Sequence, residues 1–476
     1  MIASTSINSL PPEILIRIFH TVLAYPCNHC PCFPYRKQDY PRYPDYLAQV
    51  CTLWRRTAIS AQTLWRHIDL SPNVPCSDRL ITRAESHLAR AGQLPIDIHI
   101  SVNAIGAPAL EYDKLYQLIS LVSTRVESLE MDIAGPFQDF HRGVFKLLLC
   151  QHPSLTRLVL RPQAYHRNSF LVANSFPSTE AQRYSGPQQL DLTEEEIEIL
   201  FAPLTILHSH GIFPLWSSRA YHGLVDLRLL STDQWSDIRE RDLITVLKSS
   251  PELKTLHFHL DIHDSTPTTE KLIPVTLRDL HVVKIFTSTI GAPSLCPSPS
   301  KLLRLLAPGT KPLRLSFEDF YTKDDMFTTE LEGFFARSNV AMFYTRTIFP
   351  SLDLLLRHSN NLEQVVLDYF NYYFCTQTPA AEIEVDGFAS LPRLKSLHIT
   401  RSVLSDDELR LLLTCCPDGI VLKSCSIRCR TAGEQTSTTL DALETVEAFP
   451  TVKISDHILS REYNPTADWD VLDGEA

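Results

Sequence analysis

Residues 253–258, Leu-Lys-Thr-Leu-His-Phe, carry apolar side chains at the first, fourth and sixth positions of a short segment. Seven segments share this spacing, and their first residues are Val126, Leu155, Leu224, Leu253, Leu277, Leu362 and Leu394. Successive starts are 29, 69, 29, 24, 85 and 32 residues apart. Four of these gaps lie near the period of about 20–29 residues typical of short strand-containing repeats. The spacing therefore predicts a series of buried strands that stack on one another.

Helix-like runs lie between these segments. Val144–His152 and Leu243–Ser250 end directly before a proline, and Leu352–His358 and Asp407–Cys416 continue the series. A strand-plus-helix unit buries its apolar strand face only by stacking on its neighbours, as in a solenoid. The pattern resembles irregular leucine-rich repeats, and Lys423-Ser424-Cys425 resembles a fragment of their cysteine-containing variety. The alternative is a generic mixed α/β domain, whose buried strands are also rich in Leu.

The N-terminus predicts a small helical module. Ser9-Leu10-Pro11-Pro12-Glu13 is a helix start, with a capping residue, prolines in the opening turn and an early acidic side chain. The next turns place four residues on one apolar stripe: Ile14, Leu15, Ile18 and Phe19. Residues 46–58 form a second amphipathic segment after a Pro-rich interruption. A unit this small needs a partner or a neighbouring domain to complete its core.

Two blocks of this module, LPPEILIRIF (residues 10–19) and VCTLWRRTAISAQTLW (residues 50–65), closely resemble the F-box, in the form typical of large fungal families. Three separated elements occur in the family's order: Leu-Pro-Pro-Glu-Ile-Leu, Val-Cys-x-x-Trp-Arg and Leu-Trp. The resemblance covers residues 9–70. It implies a three-helix module bound by the Skp-type adaptor of a cullin–RING ubiquitin ligase. The long spacer after the first helix departs from the family pattern.

The resemblance also implies which residues bind the adaptor. They are Leu10, Pro11, Ile14, Leu15, Ile18 and Phe19 in the first block, and Val50, Cys51 and Trp54 in the second. Trp65 is expected to brace the junction with the next domain. The expected partners are the Skp-type adaptor, through it a cullin, and an unknown target protein.

The spacer raises the question of zinc binding. Cys27-x-x-Cys30 has the spacing of half a structural zinc site, and His29 and Cys32 lie nearby. Four ligands this close in sequence rarely converge on one ion, and no second Cys pair lies near them. An exposed Pro-rich loop with incidental cysteines is the favoured interpretation, so we predict no metal site and no cofactor.

Composition and charge narrow the class of protein. The hydrophobic fraction of 44% and charged fraction of 21% are those of a globular protein. Residues 1–92 hold 10 basic and 6 acidic residues, net +4, and the remainder holds 34 and 49, net −15. An acidic body argues against nucleic-acid binding. The absence of a long apolar run or a signal-peptide pattern predicts no membrane association, and the 12 scattered cysteines favour the cytoplasm or nucleus.

The expected fold class is α/β, with four regions. They are the F-box at 1–70, a linker helix at 71–92, an irregular leucine-rich-repeat-like domain at 93–430, and a partly disordered C-terminal extension at 431–476. Two polar stretches, 162–220 and 287–300, are expected to interrupt the repeats.

The sequence contains no motif that predicts catalysis. Walker-type glycine loops, Gly-x-Ser-x-Gly and His-Glu-x-x-His are all missing. We therefore expect no catalytic residues and a non-enzymatic substrate receptor. The alternatives are a scaffold that uses the adaptor outside ubiquitination, and an enzyme with a composite site on the insertions.

The polar side of the strands predicts the target-binding surface, because residues between the apolar positions point away from the core. The position between the last two apolar residues holds Glu130, Val159, Arg228, His257, His281, Val366 and His398. This register places His257 and His281 on adjacent strands, about 5 Å apart, with His259 just beyond. The predicted target-binding residues are Arg228, His257, His259, His281 and His398. The alternative is that they are ordinary solvated residues of an exposed sheet face.

Overall fold

The structure is a computed structural model of the 476-residue chain. It describes residues 7–23, 44–71, 77–102, 112–133, 137, 139–149, 154–162, 169–175, 187–232, 236–264, 273–286, 298–318, 327–346, 352–358, 360–370, 394–417, 419–430, 437–440, 442–455, 465–466 and 468–470. The cysteine-containing spacer, residues 27–32, lies outside this part of the chain. Two compact units make up the chain, Met1–Ala220 and Tyr221–Ala476. The fold is mixed α/β, and each unit contains a parallel sheet.

The first unit alternates strands and helices. Its helices are α1 (Pro12–Leu23), α2 (Pro44–Val50), α3 (Thr52–Ser60), α4 (Ser77–Ala91), α5 (Asp113–Val122), α6 (Asp139–Leu148) and α7 (Glu194–Phe201). Its strands are β1 (His67–Leu70), β2 (Ile96–Val102), β3 (Val126–Ile133), β4 (Arg157–Pro162), β5 (Ser169–Val172), β6 (Gln188–Gln189), β7 (Ile206–His210) and β8 (Ile212–Pro214). Strands β1, β2, β3, β4 and β7 form a parallel sheet in that order. Parallel neighbours need a crossover connection, which α4, α5 and α6 provide.

The core of the first unit lies on one side of its sheet. In β3, Leu129 and Met131 are fully buried, whereas Glu130 between them points to the opposite, polar face. Helix α6 buries Val144 and Phe145 on one of its sides. The apolar face of the strands and the apolar stripes of the crossover helices therefore form the two sides of one apolar layer.

Helices α1, α2 and α3 pack on one another. The rings of Phe19 and Trp54 lie 4.9 Å apart between their centroids. Cys51 caps α3, because its sulfur accepts a hydrogen bond from the backbone of Trp54 at 3.5 Å. Trp65 is fully buried, and its Nε1 donates to a carbonyl of α3 at 2.7 Å. Its ring meets His87 of α4 edge to face at 5.0 Å, so Trp65 lies at the junction between α3 and α4.

The second unit repeats the same strand and helix alternation. Its helices are α8 (Glu240–Ser249), α9 (Pro299–Leu303), α10 (Phe327–Arg337), α11 (Leu352–Arg357), α12 (Asp406–Cys415) and α13 (Ala442–Ala448). Its strands are β9 (Asp226–Leu230), β10 (Asp237–Arg239), β11 (Thr255–His259), β12 (Asp261–His263), β13 (Val275–Leu277), β14 (Val282–Phe286), β15 (Leu306–Pro308), β16 (Leu313–Glu318), β17 (Val340–Arg346), β18 (Gln364–Asp368), β19 (Leu397–Thr400), β20 (Val403–Ser405), β21 (Ile420–Lys423), β22 (Ser426–Arg430), β23 (Ser437–Leu440) and β24 (Lys453–Ser455). Strands β9, β11, β14, β16, β17, β18, β19, β21 and β24 form a parallel sheet in chain order. The remaining strands form two parallel pairs, β10–β12 and β13–β15, and the three-stranded group β20–β22–β23.

Three successive strands of this sheet end in the same backbone bend. Tyr369, Arg401 and Ser424 follow β18, β19 and β21, and each has a positive φ of 50–52°. Such a conformation is uncommon outside glycine. The backbone amides of Tyr369 and Arg401 each donate to a carbonyl on the next strand, at 2.9 and 3.0 Å. The recurrence of the bend at matched positions shows that these three strand ends share one local backbone geometry.

The boundaries differ from those predicted. The parallel sheet begins at β1, so α4, expected as a linker, is the crossover between the first two strands. Residues 162–220, expected as an interruption, contribute β7 to the sheet, and β24 extends the second sheet beyond residue 430. Strands β7 and β17 lack the leucine pattern because Ser209 and Thr345 take the sixth position and are buried there.

Candidate functional site

The polar face of the second unit carries one row of side chains, one from each strand. Strand pairing places in that row Arg228, His257, Lys284, Ser316, Tyr344, Val366, His398, Val421 and Lys453. Arg228 and His257, both predicted from the sequence, are direct neighbours. Because parallel strands hold their side chains at a fixed spacing, the row is a preformed surface that is polar except at Val366 and Val421.

The predicted adjacency of His257 and His281 is wrong. Lys284 pairs with His257, and His281 lies just before β14. The apolar spacing starting at Leu277 recurs three residues later at Leu280, and the strand uses the second set. Residues of both sets are buried, so hydrophobicity alone does not distinguish the two registers. Sequence reasoning thus missed Lys284, although the second match at residues 280–285 was the available signal.

The described residues 465–466 and 468–470, here called the C-terminal segment, include three that contact this row, and Asp470 makes the central contacts. Its Oδ1 is 2.9 Å from Nζ of Lys284 and 3.0 Å from Nε2 of His257. Its Oδ2 is 3.2 Å from Nη1 of Arg228. Lys284 is 4% exposed, so its ammonium group is removed from water and is neutralised by this carboxylate.

Protonation in this cluster follows from burial and charge. Burial lowers the pKa of His257 to about 4, with Arg228 and Lys284 acting in the same direction and the hydrogen bond to Asp470 opposing them. Burial would raise the pKa of Asp470, but His257, Lys284 and Arg228 together hold it well below its usual value. Neutral His257 therefore donates from Nε2 to an ionised carboxylate, and the positive charge comes from Lys284 and Arg228.

Trp469 and Thr466 extend the contact along the row. Trp469 is 3% exposed and packs with Tyr344 and Val366; its ring meets that of Tyr344 edge to face at 6.5 Å. The carbonyl of Trp469 accepts from Nη1 of Arg314 at 2.9 Å, and that of Thr466 accepts from Nζ of Lys284 at 2.7 Å. The Thr466 hydroxyl donates to a carboxylate oxygen of Glu318 at 2.7 Å. The sequence predicts this region only as part of a partly disordered C-terminal extension.

The other predicted histidines lie apart from Asp470. His259 follows His257 by two residues, and its ring is 6.2 Å from that of Phe286. His398 lies further along the row, with Nε2 3.0 Å from the hydroxyl of Ser396. Burial lowers the pKa of His398 to about 4, and Lys423 adds to this effect. His398 is therefore neutral at physiological pH.

The first unit carries a second polar cluster, centred on His99. Its Nδ1 is 2.8 Å from Oδ1 of Asp69 on β1, and its Nε2 is 3.1 Å from Oδ2 of Asp132 on β3. Burial opposes the charged imidazole, but the hydrogen bonds to Asp132 and Asp69 outweigh it and raise the pKa of His99 to about 10. Asp69 is held well below its usual pKa, despite its burial, by His67 and His99. His99 is thus a buried imidazolium bridging two carboxylates.

Arginines complete the charge balance of this cluster. Glu130, next to His99 on β3, is contacted by Arg161 and by Arg157 at 3.3 Å. Arg161 also lies 3.9 Å from Asp132. Three carboxylates therefore face the His99 imidazolium and two guanidinium groups.

Part of the same cluster has the donor set of a metal site. Ligand atoms of His67, Asp69 and His99 lie within 4.8 Å of one another, and imidazole and carboxylate are ligands that zinc accepts. Coordination would require His99 to lose a proton and give up a hydrogen bond to one carboxylate. The ion-pair network already neutralises these groups, so it accounts for the cluster as it stands.

The structure divides the predicted adaptor-binding residues into three groups. Pro11, Ile14 and Val50 lie on the surface, with Ile14 45% and Val50 60% exposed. Leu10, Ile18, Cys51 and Trp54 are half-buried. Leu15 and Phe19 have no exposed surface, so in this arrangement they form the core of the module and offer a partner no contact.

Comparison with protein-family models gave no match. Comparison with curated proteins likewise found no similar sequence. Among the described helices, none combines the length and the apolar character needed to cross a bilayer. The F-box and leucine-rich-repeat resemblances therefore stay predictions that rest on sequence motifs.

Proposed function

We propose that the chain is the substrate receptor of a Skp–cullin–F-box type ubiquitin ligase. The N-terminal helices bind the Skp-type adaptor, and the polar face of the sheet in the second unit binds the target protein. The receptor contributes proximity between target and ligase rather than bond chemistry. The observation that carries the proposal is that the F-box-like blocks lie on α1 and α3, which pack with α2 and leave Ile14 and Val50 exposed.

The exposed apolar residues favour a docking role for this module. Large apolar side chains on a surface mark interaction sites when they cluster. Ile14 comes from the first F-box-like block and Val50 from the second. Leu15 and Phe19 are fully buried, and the ring of Phe19 packs against that of Trp54, so these residues hold the helices together.

We also propose that the strand-helix units are irregular leucine-rich repeats. Parallel strands that follow chain order, each buried on one face, are typical of a solenoid. Two polar side chains that follow strands form hydrogen bonds with the preceding strand-helix unit. The Ser402 hydroxyl accepts from the backbone of Phe370 at 2.8 Å, and the Cys425 thiol donates to the carbonyl of Ile399 at 3.2 Å.

The adaptor interaction is tested by calorimetry with a purified Skp-type adaptor. Ile14→Ala/Val50→Ala should weaken binding tenfold or more, because buried interface anchors commonly contribute about 1–2 kcal/mol each. Leu121→Ala is the matched control, since Leu121 is 80% exposed on α5, outside the module. Unchanged affinity for the double variant, with its circular dichroism intact, would refute the docking role.

Reconstitution with adaptor, cullin, RING subunit, ubiquitin, the ubiquitin-activating and ubiquitin-conjugating enzymes and ATP then separates a ligase receptor from a scaffold. Autoubiquitination that depends on Ile14 and Val50 supports the receptor. Adaptor binding without any ubiquitin transfer supports the scaffold, the alternative use of the same module.

A further inference from the structure

The row of side chains on the polar face of the second unit, proposed above to bind the target, is occupied by the chain's own C-terminal segment. We propose that this row recognises a segment of the target protein with the pattern Thr-x-x-Trp-Asp, and that Thr466, Trp469 and Asp470 fill the same site when no target is bound. Identification of the partner as a ubiquitination target rests on the proposed function. The binding chemistry rests on the contacts alone.

Charge complementarity defines the acidic position. The sheet presents Arg228 and Lys284 on either side of His257 in the row. One carboxylate oxygen of Asp470 lies 3.2 Å from the guanidinium of Arg228, and the other lies 2.9 Å from the ammonium of Lys284. Because Lys284 is almost fully buried, any ligand that displaces Asp470 must bring a carboxylate of its own.

The aromatic position is defined by packing. Trp469 inserts its ring against Tyr344 and Val366, with Met342 at the edge. Large aromatic residues are the commonest anchors of peptide and protein interfaces. An apolar contact directly beside two cations selects an aromatic residue followed by an acidic one.

Three further contacts orient a bound segment. Arg314 and Lys284 donate to the carbonyls of Trp469 and Thr466, and any peptide supplies such carbonyls. Glu318 accepts from the Thr466 hydroxyl, which favours Thr or Ser three residues before the aromatic residue. The segment thus meets the row through side chains and carbonyls, and none of its described residues belongs to a strand that extends the sheet.

Occupation in cis lowers the apparent affinity for a target. A tethered segment acts at a high effective concentration. The site is therefore available to a target only in the fraction of molecules in which the C-terminal segment has dissociated from the row. Removing the anchors of the segment should therefore increase the affinity for a peptide supplied in trans.

The experiment measures fluorescence anisotropy of a labelled peptide of residues 464–476 with three forms of the full chain. These are the wild type, Trp469→Ala/Asp470→Asn and the matched control Asp468→Asn, which changes an exposed acid two residues away. We expect the double variant to bind the peptide at least about tenfold more tightly than the wild type and the control. A chain ending at Asn464 should behave like the double variant, provided that circular dichroism shows it folded.

Peptide variants test recognition directly. Asp470→Asn in the peptide should reduce binding to the double-variant protein about tenfold or more, and Asp468→Asn in the peptide should not. The proposal is overturned if the two peptides bind alike, or if the folded double variant binds no better than the wild type. A concentration-dependent dimer held by exchanged C-terminal segments would also overturn it, since the second occupant would then be another copy of the chain.

These outcomes are independent of adaptor binding. The peptide assay contains neither adaptor nor ubiquitin, so its failure leaves the docking role of α1–α3 untouched. Failure of adaptor binding would equally leave the peptide site intact.

Discussion

The substitution His99→Gln removes the positive charge between two buried carboxylates. Glutamine can still form hydrogen bonds, but it is neutral. The carboxylates of Asp69 and Asp132 then face this position without the cation that they share. The His99 side chain is 8% exposed, so solvent offers little screening. We therefore expect a lower free energy of unfolding near pH 6.5 and an altered dependence of that energy on pH.

The magnitude follows from the pKa of His99, about 10 in the folded chain against 6.5 for an ordinary histidine. A pKa raised on folding stabilises the folded state fully below the unfolded value, and this contribution is lost as pH rises through the folded value. One proton corresponds to a slope of about 1.4 kcal/mol per pH unit. Between about pH 6.5 and 9.5 the wild type should lose about 2–4 kcal/mol through this group. Asp69, whose pKa is lowered, loses its contribution only in acid, below this window.

The assay is urea denaturation followed by far-UV circular dichroism at about pH 6.5, 8.0 and 9.5. Other groups that titrate in this range do so in both proteins, so the difference between wild type and His99→Gln isolates His99. His67→Gln is the control, because His67 contacts the same Asp69 but its side chain is 42% exposed. Parallel curves for wild type and His99→Gln would refute the buried imidazolium.

Three further perturbations test the fold. Leu256→Ala removes a fully buried side chain from β11 and should cost about 2–5 kcal/mol in urea denaturation, and a value near zero would contradict the repeat register. Asp368→Asn removes the carboxylate that pairs with the mostly buried Arg401 and should cost about 3–5 kcal/mol, whereas a loss below about 1 kcal/mol would mean that the pair is dispensable. Thr193→Ala breaks the capping box that Thr193 and Glu196 form at α7 and should cost about 1 kcal/mol, measured as faster amide exchange in that helix; unchanged exchange would contradict it.

Local patterns in the sequence were sufficient for much of the strand framework. The segments starting at Leu224, Leu253 and Leu394 all contribute buried strands, because a side chain's burial on one sheet face is set by its position in the alternation. The capping partners of α7, Thr193 and Glu196, lie three residues apart, so the start of that helix is also a local feature of the sequence. The same alternation predicts that Arg228 and His257 hold the equivalent position of their strands, and the structure pairs these two residues.

The register at β14 and the partners of the polar rows were decided only by tertiary structure. Two overlapping apolar sets after Leu277 satisfy the same spacing, and only pairing with β11 selects the one that places Lys284 beside His257. His257 and Asp470 are 213 residues apart, and His99 is 30 and 33 residues from its two carboxylates. Apolar burial is a property of each segment that its own pattern reveals. The charge state and partner of a buried polar group depend instead on which distant residues the folded chain brings within a few ångströms.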